Sequence, residues 1–337
     1  VAGTGHIVYP LLPVIYETAH RSGIRPERPM AVATIASQQA ITASPVAAAT
    51  AAMIGLFAEK GLTQWGLPQI LMVCVPATLT GVIAAAIVSM FLGKDLKDDP
   101  EYQARLASGQ IPPPQADTSQ APLKPGARLS AFIFLAGVAL VVLFGFFPSL
   151  RQLPGAKSPL AMPIVIEILM MSVAAIMLLV TKVAVDEVPK TATLRAGVVA
   201  VIGIFGLAWL GDSFIAANKD VIVPAIGDWA KVAPWTFAFG LFLSSVLLYS
   251  QAATTRALMP LGIALGIPPQ FLIAMFPSVN GYFFIPTYGS LIAAINFDLS
   301  GTTKIGKYVL NHSFMIPGLV ATTVAVFTGL VIARMIF

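Results

Sequence analysis

Two short polar strings interrupt an otherwise apolar sequence in a way that suits anion chemistry. They are Gly3-Thr4-Gly5-His6 and Ser250-Gln251-Ala252. Each is followed by a short stretch of helical character, over 7–18 and 257–265. A helix N-terminus presents unpaired N–H groups and a partial positive charge. Such a tip can hold a carboxylate without a buried Arg or Lys. Gly3 and Gly5 permit close backbone approach, while Thr4, Ser250 and Gln251 add hydroxyl and amide groups. The competing reading is that these are helix–helix contacts, because small residues commonly pack membrane helices. His6 is either a group at the tip facing a ligand or a hydrogen-bonded packing residue.

Two longer apolar segments are broken in the middle. The run 30–57 is cut at Ser44-Pro45, and 269–295 is cut at Asn280-Gly281 and again at Pro286-Thr287. Proline removes a backbone donor and disfavours helix at the preceding residue. A break inside hydrocarbon strands polar backbone unless protein, water or ligand faces it. Asn280, Thr287 and Tyr288 therefore join the candidate binding residues. Ionisable groups inside apolar segments are few: Glu167, Arg256 and, after the second broken run, Asp298. Arg256 can pair with a substrate carboxylate or reach toward interface water. Glu167 can bind a coupling proton or cation, or make a structural hydrogen bond. His312 reads as a packing residue.

Enzyme signals are poor. Gly3-Thr4-Gly5 begins like a dinucleotide fingerprint, but Val8 occupies the third glycine position, and no HExxH, GxSxG or Walker string occurs. The single cysteine, Cys74, excludes an intrachain disulfide and any CxxC site. Neither a cofactor nor a metal is expected, and the chain does not read as an enzyme.

The elements that must position these residues are transmembrane helices. Of 337 residues, 57% are hydrophobic and only 10% charged, against about 25% charged in soluble domains. That deficit is tolerable when lipid covers most of the surface. Runs at 67–92, 160–180, 194–210 and 308–337 approach the roughly 20 residues a spanning helix needs; 131–147 is a further span. Residues 93–127 form a polar, Pro-rich linker in which a packed core is not expected. An interfacial amphipathic helix is expected over 212–234. No initiator Met or signal sequence opens the chain, so further spans are expected to precede it.

The order polar tip, short helix, Gly-Ile-x-Pro loop, broken helix occurs twice, with Gly23-Ile24-Arg25-Pro26 and Gly266-Ile267-Pro268-Pro269 as the loops. If both tips lie mid-membrane, thirteen Lys and Arg fall on one side (residues 21–28, 94–128, 182–195 and 304–307) and six on the other. The positive-inside rule makes the first side cytoplasmic and the C-terminus periplasmic. The two tips then enter from opposite faces, as in the inverted repeats of secondary transporters.

Ile24-Arg25-Pro26-Glu27-Arg28-Pro29-Met30, with Gly3-Thr4-Gly5-His6 and Leu12-Pro13-Val14-Ile15-Tyr16, resembles the Dcu family of anaerobic C4-dicarboxylate transporters. So do Ser250-Gln251-Ala252-Ala253, Pro286-Thr287-Tyr288, Phe297-Asp298, Ser300-Gly301-Thr302-Thr303 and Asn311-His312-Ser313-Phe314. The resemblance runs nearly end to end. It implies exchange of fumarate, malate, aspartate and succinate across a bacterial inner membrane by a dimeric elevator-type carrier with two re-entrant hairpins. It puts Gly3–His6 and Ser250–Ala252 at the hairpin tips and Ser44-Pro45 and Pro286-Thr287 at the helix breaks. Two positions depart from the family pattern and bear on substrate preference. Tyr249 stands where an Asn is typical, and Arg256 where a small residue is.

The expected division follows from this. Transport units cover 1–57 and 235–295, and scaffold helices cover 58–92 and 128–211. The linker is 93–127, the interfacial helix 212–234, and a C-terminal loop and helix 296–337. Alternatives are a cation-coupled organic-anion symporter and a membrane-embedded dicarboxylate sensor or scaffold. The coupling ion is not specified by the sequence.

Overall fold

The computed structural model describes residues 5–8, 11–111, 126–155, 159–160, 162–181, 183–190 and 235–337, with single positions at 194, 213, 217 and 233. The expected span at 194–210 and the amphipathic helix at 212–234 lie outside the described residues, as do Gly3, Thr4 and the side chain of His6. Among the described residues the protein is all-helical, with one isolated bridge, Ile305 to His312.

The first half holds α1 (Leu12–Arg21), α2 (Glu27–Thr42), α3 (Ala48–Glu59), α4 (Leu67–Ser89), α5 (Pro100–Ala107), α6 (Ala127–Phe146) and α7 (Met162–Thr181). The second holds α8 (Thr236–Leu248), α9 (Gln251–Ala264), α10 (Pro269–Met275), α11 (Gly289–Phe297) and α12 (Met315–Ile336). The helices α4 and α12 and residues Ile164–Thr181 within α7 are long and apolar enough to cross a membrane. Their lipid-type faces carry exposed Leu79, Ile83, Met171, Leu179 and Phe327. This is a polytopic helical membrane protein.

Both broken runs are observed. The chain leaves helix between α2 and α3 at 43–47. Between α10 and α11 the break is longer than Pro286-Thr287 alone. A 3-10 segment, Phe276–Phe283, starts it, and helix resumes only at Gly289. Helices α8 and α9 have 13 and 14 residues, are joined by Tyr249 and Ser250, and pack on one another as a hairpin. Neither reaches the length a simple crossing needs.

The two Gly-Ile-x-Pro loops share a backbone form, one that also occurs at Gly61 and Gly109. Gly23 and Gly266 both have positive φ, 71° and 74°. After Gly23, the Ile24 N–H reaches back to Ala19 O; after Gly266, the Ile267 N–H reaches back to Gly262 O. Each is the left-handed C-cap that glycine supplies without steric cost. The packing crosses between halves: α9 lies on α3, and α1 lies on α11. The counterparts α4 and α12 lie against each other.

Three expectations need correction. The first short helix begins at Leu12 and continues to Arg21, because Pro13 sits in its first turn, where its missing N–H costs nothing. The last span begins at Met315 rather than Tyr308, since residues 308–314 turn back to form the bridge to Ile305. The linker is not structureless throughout: Leu96, Tyr102 and Ile111 form a small buried cluster.

That cluster is fastened from a distance. Arg25 donates to Asp99 (2.5 Å), Glu27 (2.5 Å) and the Lys94 carbonyl (3.3 Å). Arg28 donates to the Leu92 and Gly93 carbonyls and to Asp95. The Tyr102 hydroxyl meets His20 Nε2 at 2.7 Å, and Lys304 pairs with Glu101 at 2.9 Å. Polar composition alone hid these partners because they come from other loops.

Burial pulls the His20 pKa below its ordinary 6.5, with Asp298 and Glu17 opposing. Burial alone would raise Asp99, but the Arg25 hydrogen bond and the Tyr102 N–H hold it below the usual carboxylate range. Both shifts make the folded state bind fewer protons than the unfolded one, so stability falls with acidification. His20 acts first, below 6.5, and Asp99 only in the acid range below 3.8.

Two outcomes follow. Gly23→Ala and Gly266→Ala should each cost ~1–2 kcal/mol, read as similar drops in Tm in detergent; a loss at one site only would contradict their equivalence. Limited proteolysis within 93–111 should speed up between about pH 7.5 and about pH 5.5, and His20→Gln should flatten that dependence. An unchanged slope in the variant would show that His20 does not set it.

Candidate functional site

Gly5, Gln251 and Ser290 meet at one buried side chain, Gln38, in the fourth turn of α2. Gln38 is 1% exposed. Its amide donates to Ser290 Oγ (3.0 Å) in the first turn of α11. Its Oε1 accepts from Gln251 Nε2 (3.3 Å) in the first turn of α9. Gly5, at the other tip, lies against the same carboxamide, and a Cβ there would overlap it. One residue thus touches the first tip, the second tip and the second break. Gln39 does the same for the break's other end. It donates to Thr322 Oγ1 (2.7 Å) on α12 and accepts from Asn280 Nδ2 (3.1 Å).

The N-termini of α9 and α11 reach Gln38 through Gln251 and Ser290, and the N-terminus of α3 follows the first break. The N-cap of α9 is Ser250, whose Oγ accepts from Ala253 N–H (3.2 Å). Neither α3 nor α11 is capped by its N-cap side chain, Ala47 or Tyr288. Their first-turn N–H groups keep the partial positive charge that attracts carboxylates. In the second break, Asn280 Oδ1 and the Tyr282 hydroxyl are buried without a hydrogen-bond partner. An unpartnered buried polar atom costs ~1–3 kcal/mol, which makes both atoms candidates for a hydrogen bond to a ligand.

Tyr249 closes this region on one side. Its φ is 50°, a left-handed conformation uncommon for a bulky residue. A 2.6 Å hydrogen bond to Thr287 and stacking on Tyr288 (6.3 Å, 7°) hold it there. Tyr288 also contacts Tyr282 at 4.7 Å. The loop between α8 and α9 is thereby tied to the second break.

The remaining candidates divide as follows. Ser44 and Pro45 are buried in the first break, with Ser44 Oγ 3.4 Å from Val46 N. Ala252 is buried behind the second tip. Pro286 is buried and Thr287 is exposed. Asp298 is far in role from a ligand group. Its carboxylate accepts from Ser300, from Thr302 Oγ1 (2.8 Å) and from Thr303 N (2.6 Å), making it the organiser of its own turn. Arg256 and Glu167 are exposed and do not touch Gln38 or its partners. They line a separate cavity of about 380 Å³ together with Val46, Ala51 and Glu59.

Sequence reasoning missed Gln38, Gln39 and Ser290. The signal was available: two adjacent carboxamides and a hydroxyl inside apolar segments, where polar side chains are functional candidates.

The Gly5–Gln38 contact generates a double-mutant prediction. Gly5→Ala should displace the Gln38 carboxamide and lower Tm, and Gln38→Ala should do so by removing two buried hydrogen bonds. The pair should be non-additive by ~0.5–3 kcal/mol. Additive losses would mean that the two residues do not act through each other.

Comparison with known proteins places the chain in a family. The family model described as "anaerobic C4-dicarboxylate membrane transporter" matches residues 1–337. The chain is 40% identical over 332 residues to the C4-dicarboxylate transporter DcuA of Escherichia coli K12, covering 98% of the chain and 76% of the relative. It is 39% identical over 334 residues to DcuA of Wolinella succinogenes, with coverage of 99% and 76%. It is 36% identical over 341 residues to the anaerobic C4-dicarboxylate transporter DcuB of Escherichia coli O157:H7, again 99% and 76%. No solved structure matches it significantly. These relatives are membrane transporters and not enzymes, and the chain belongs with them to the anaerobic C4-dicarboxylate membrane transporter family.

Proposed function

We propose that this protein is a secondary carrier that exchanges C4-dicarboxylates, fumarate and succinate among them, across the bacterial inner membrane by alternating access. The observation that carries this reading is the Gln38 node, which joins both tips and the second break through neutral amide and hydroxyl groups. A dianion needs donors that do not hold it too tightly to release it. Uncapped N-termini of α3 and α11 and the carboxamides of Gln38 and Gln251 supply them without a fixed cation. The printed names of the relatives supply the substrate class.

The mechanism follows from the two-fold order of elements. The α8–α9 hairpin is re-entrant on this reading, and Gly5 belongs to its inverted counterpart. Substrate carboxylates lie between the two tips, with Ser250, Gln251, Asn280 and Thr287 on one side and Gly3, Thr4, His6 and Ser44 on the other. The tip-bearing unit slides as a body against α6 and α7, in an elevator motion within a homodimer. The C-terminus then lies in the periplasm.

Counterflow of labelled succinate against internal fumarate in proteoliposomes tests the proposal. Exchange is expected without an imposed ion gradient, and Gln38→Ala should lower kcat/KM by at least about tenfold, the loss of roughly one charge-assisted hydrogen bond. Flux that requires a cation gradient would favour a symporter. Saturable binding with no flux would favour a sensor.

A further inference from the structure

The cavity of about 380 Å³ lies between α3, α7 and α9, apart from the Gln38 cluster. It is lined by Val46 and Ala48 at the first break and by Glu59 at the far end of α3. A 12-residue helix rises about 18 Å, so the cavity follows α3 from the break to the helix end. Its volume is in the range of small-molecule sites, about 300–1,000 Å³.

Three charged side chains line it: Arg256 from the second turn of α9, Glu167 from the second turn of α7, and Glu59. The helices that carry them hold no other charged residue. An ionised group on such a helix is costly unless it meets water, a partner or a ligand. None of the three makes an ion pair with a described residue, although all border one space. The lining therefore offers one guanidinium and two carboxylates, a formal excess of one negative charge. A plain dianion meets repulsion from both glutamates there. A C4 dicarboxylate bearing an α-ammonium group meets less of it: one carboxylate suits Arg256, and the ammonium offsets the second carboxylate and suits the glutamates.

We infer that this cavity is a selectivity vestibule leading to the first break, in which Arg256, Glu59 and Glu167 favour amino-bearing C4 dicarboxylates over plain ones. This rests on the transport reading above and adds the residues that set preference within it. The walls contributed by Val46, Ala51 and Ile166 keep the remaining contacts apolar, so the charges alone discriminate.

The test is exchange in proteoliposomes with labelled L-aspartate and labelled succinate, each against the same internal acid. The wild-type protein should have the higher kcat/KM for aspartate. Glu59→Gln and Glu167→Gln should each lower the aspartate-to-succinate ratio of kcat/KM by at least about tenfold, the usual scale for losing one charged hydrogen bond. Glu167→Asp should restore part of the ratio. Arg256→Gln should depress both acids. If a glutamine variant does not fold, Ala51→Phe, which narrows the cavity without touching a charge, should raise KM for both acids, and an unaffected KM would overturn the vestibule. Wild-type exchange of both acids with a ratio that the glutamine variants leave unmoved overturns the selectivity alone. A wild-type protein that moves neither acid overturns the transport reading and this inference together.

Discussion

Helical backbone interrupted inside an apolar protein must find partners for its exposed N–H and C=O groups. Here Ser245 Oγ accepts from the Gly281 N–H and Asn280 Nδ2 donates to the Pro277 carbonyl, while four carboxamides join the surrounding helices side chain to side chain. Gln38 and Gln251 bridge the tips, and Gln39 and Asn280 bridge the second break to α12. Carboxamides suit the task because each offers both donors and an acceptor and carries no net charge. They tie α2, α9, α11 and α12 together without adding a charge. A fixed cation at the same place would bind a dicarboxylate more tightly and release it more slowly.

The helix α2 transmits this arrangement to one face of the molecule. At its start, Glu27 accepts from Ser313 Oγ (2.6 Å), and its N–H donates to Thr302 Oγ1 (3.1 Å). Beside it, Arg25 holds Asp99. The strings that carry the family resemblance, around Arg25–Met30, Asp298–Thr303 and Asn311–Phe314, thus converge on one corner. Their hydrogen bonds there hold one loop to another. The corner sets the position of α2, and α2 sets the position of Gln38.

Much of this was legible in the sequence. The broken runs, the paired Gly-Ile-x-Pro loops and the short hairpin helices followed from proline, glycine and segment length. Ser250-Gln251 and Gly5 drew attention as polar or small interruptions, and Gln251 and Gly5 both lie against Gln38. Gln38 and Gln39 escaped notice because they sit in an apolar run whose break at Ser44-Pro45 drew the inference. Helical geometry turns neighbours 38 and 39 by about 100°, so they serve two different clusters, which no linear pattern reveals. The folded part of the linker was hidden for a different reason: its partners lie 64 to 203 residues away in sequence. Tyr249 was seen only as a departure from an Asn. The structure gives the reason for the Asn, since the position is left-handed, a conformation that Asn tolerates and that Tyr adopts here only with Thr287 and Tyr288 holding it.

The central claim is that a dicarboxylate is held between the two tips at the Gln38 node. A density map of the protein saturated with succinate addresses it most directly. Ligand density within hydrogen-bond distance of both Gln38 and Gln251, with each carboxylate near a helix N-terminus, is the predicted result. Bound succinate located elsewhere, with the carboxamides of Gln38 and Gln251 still bonded only to protein, would contradict the account.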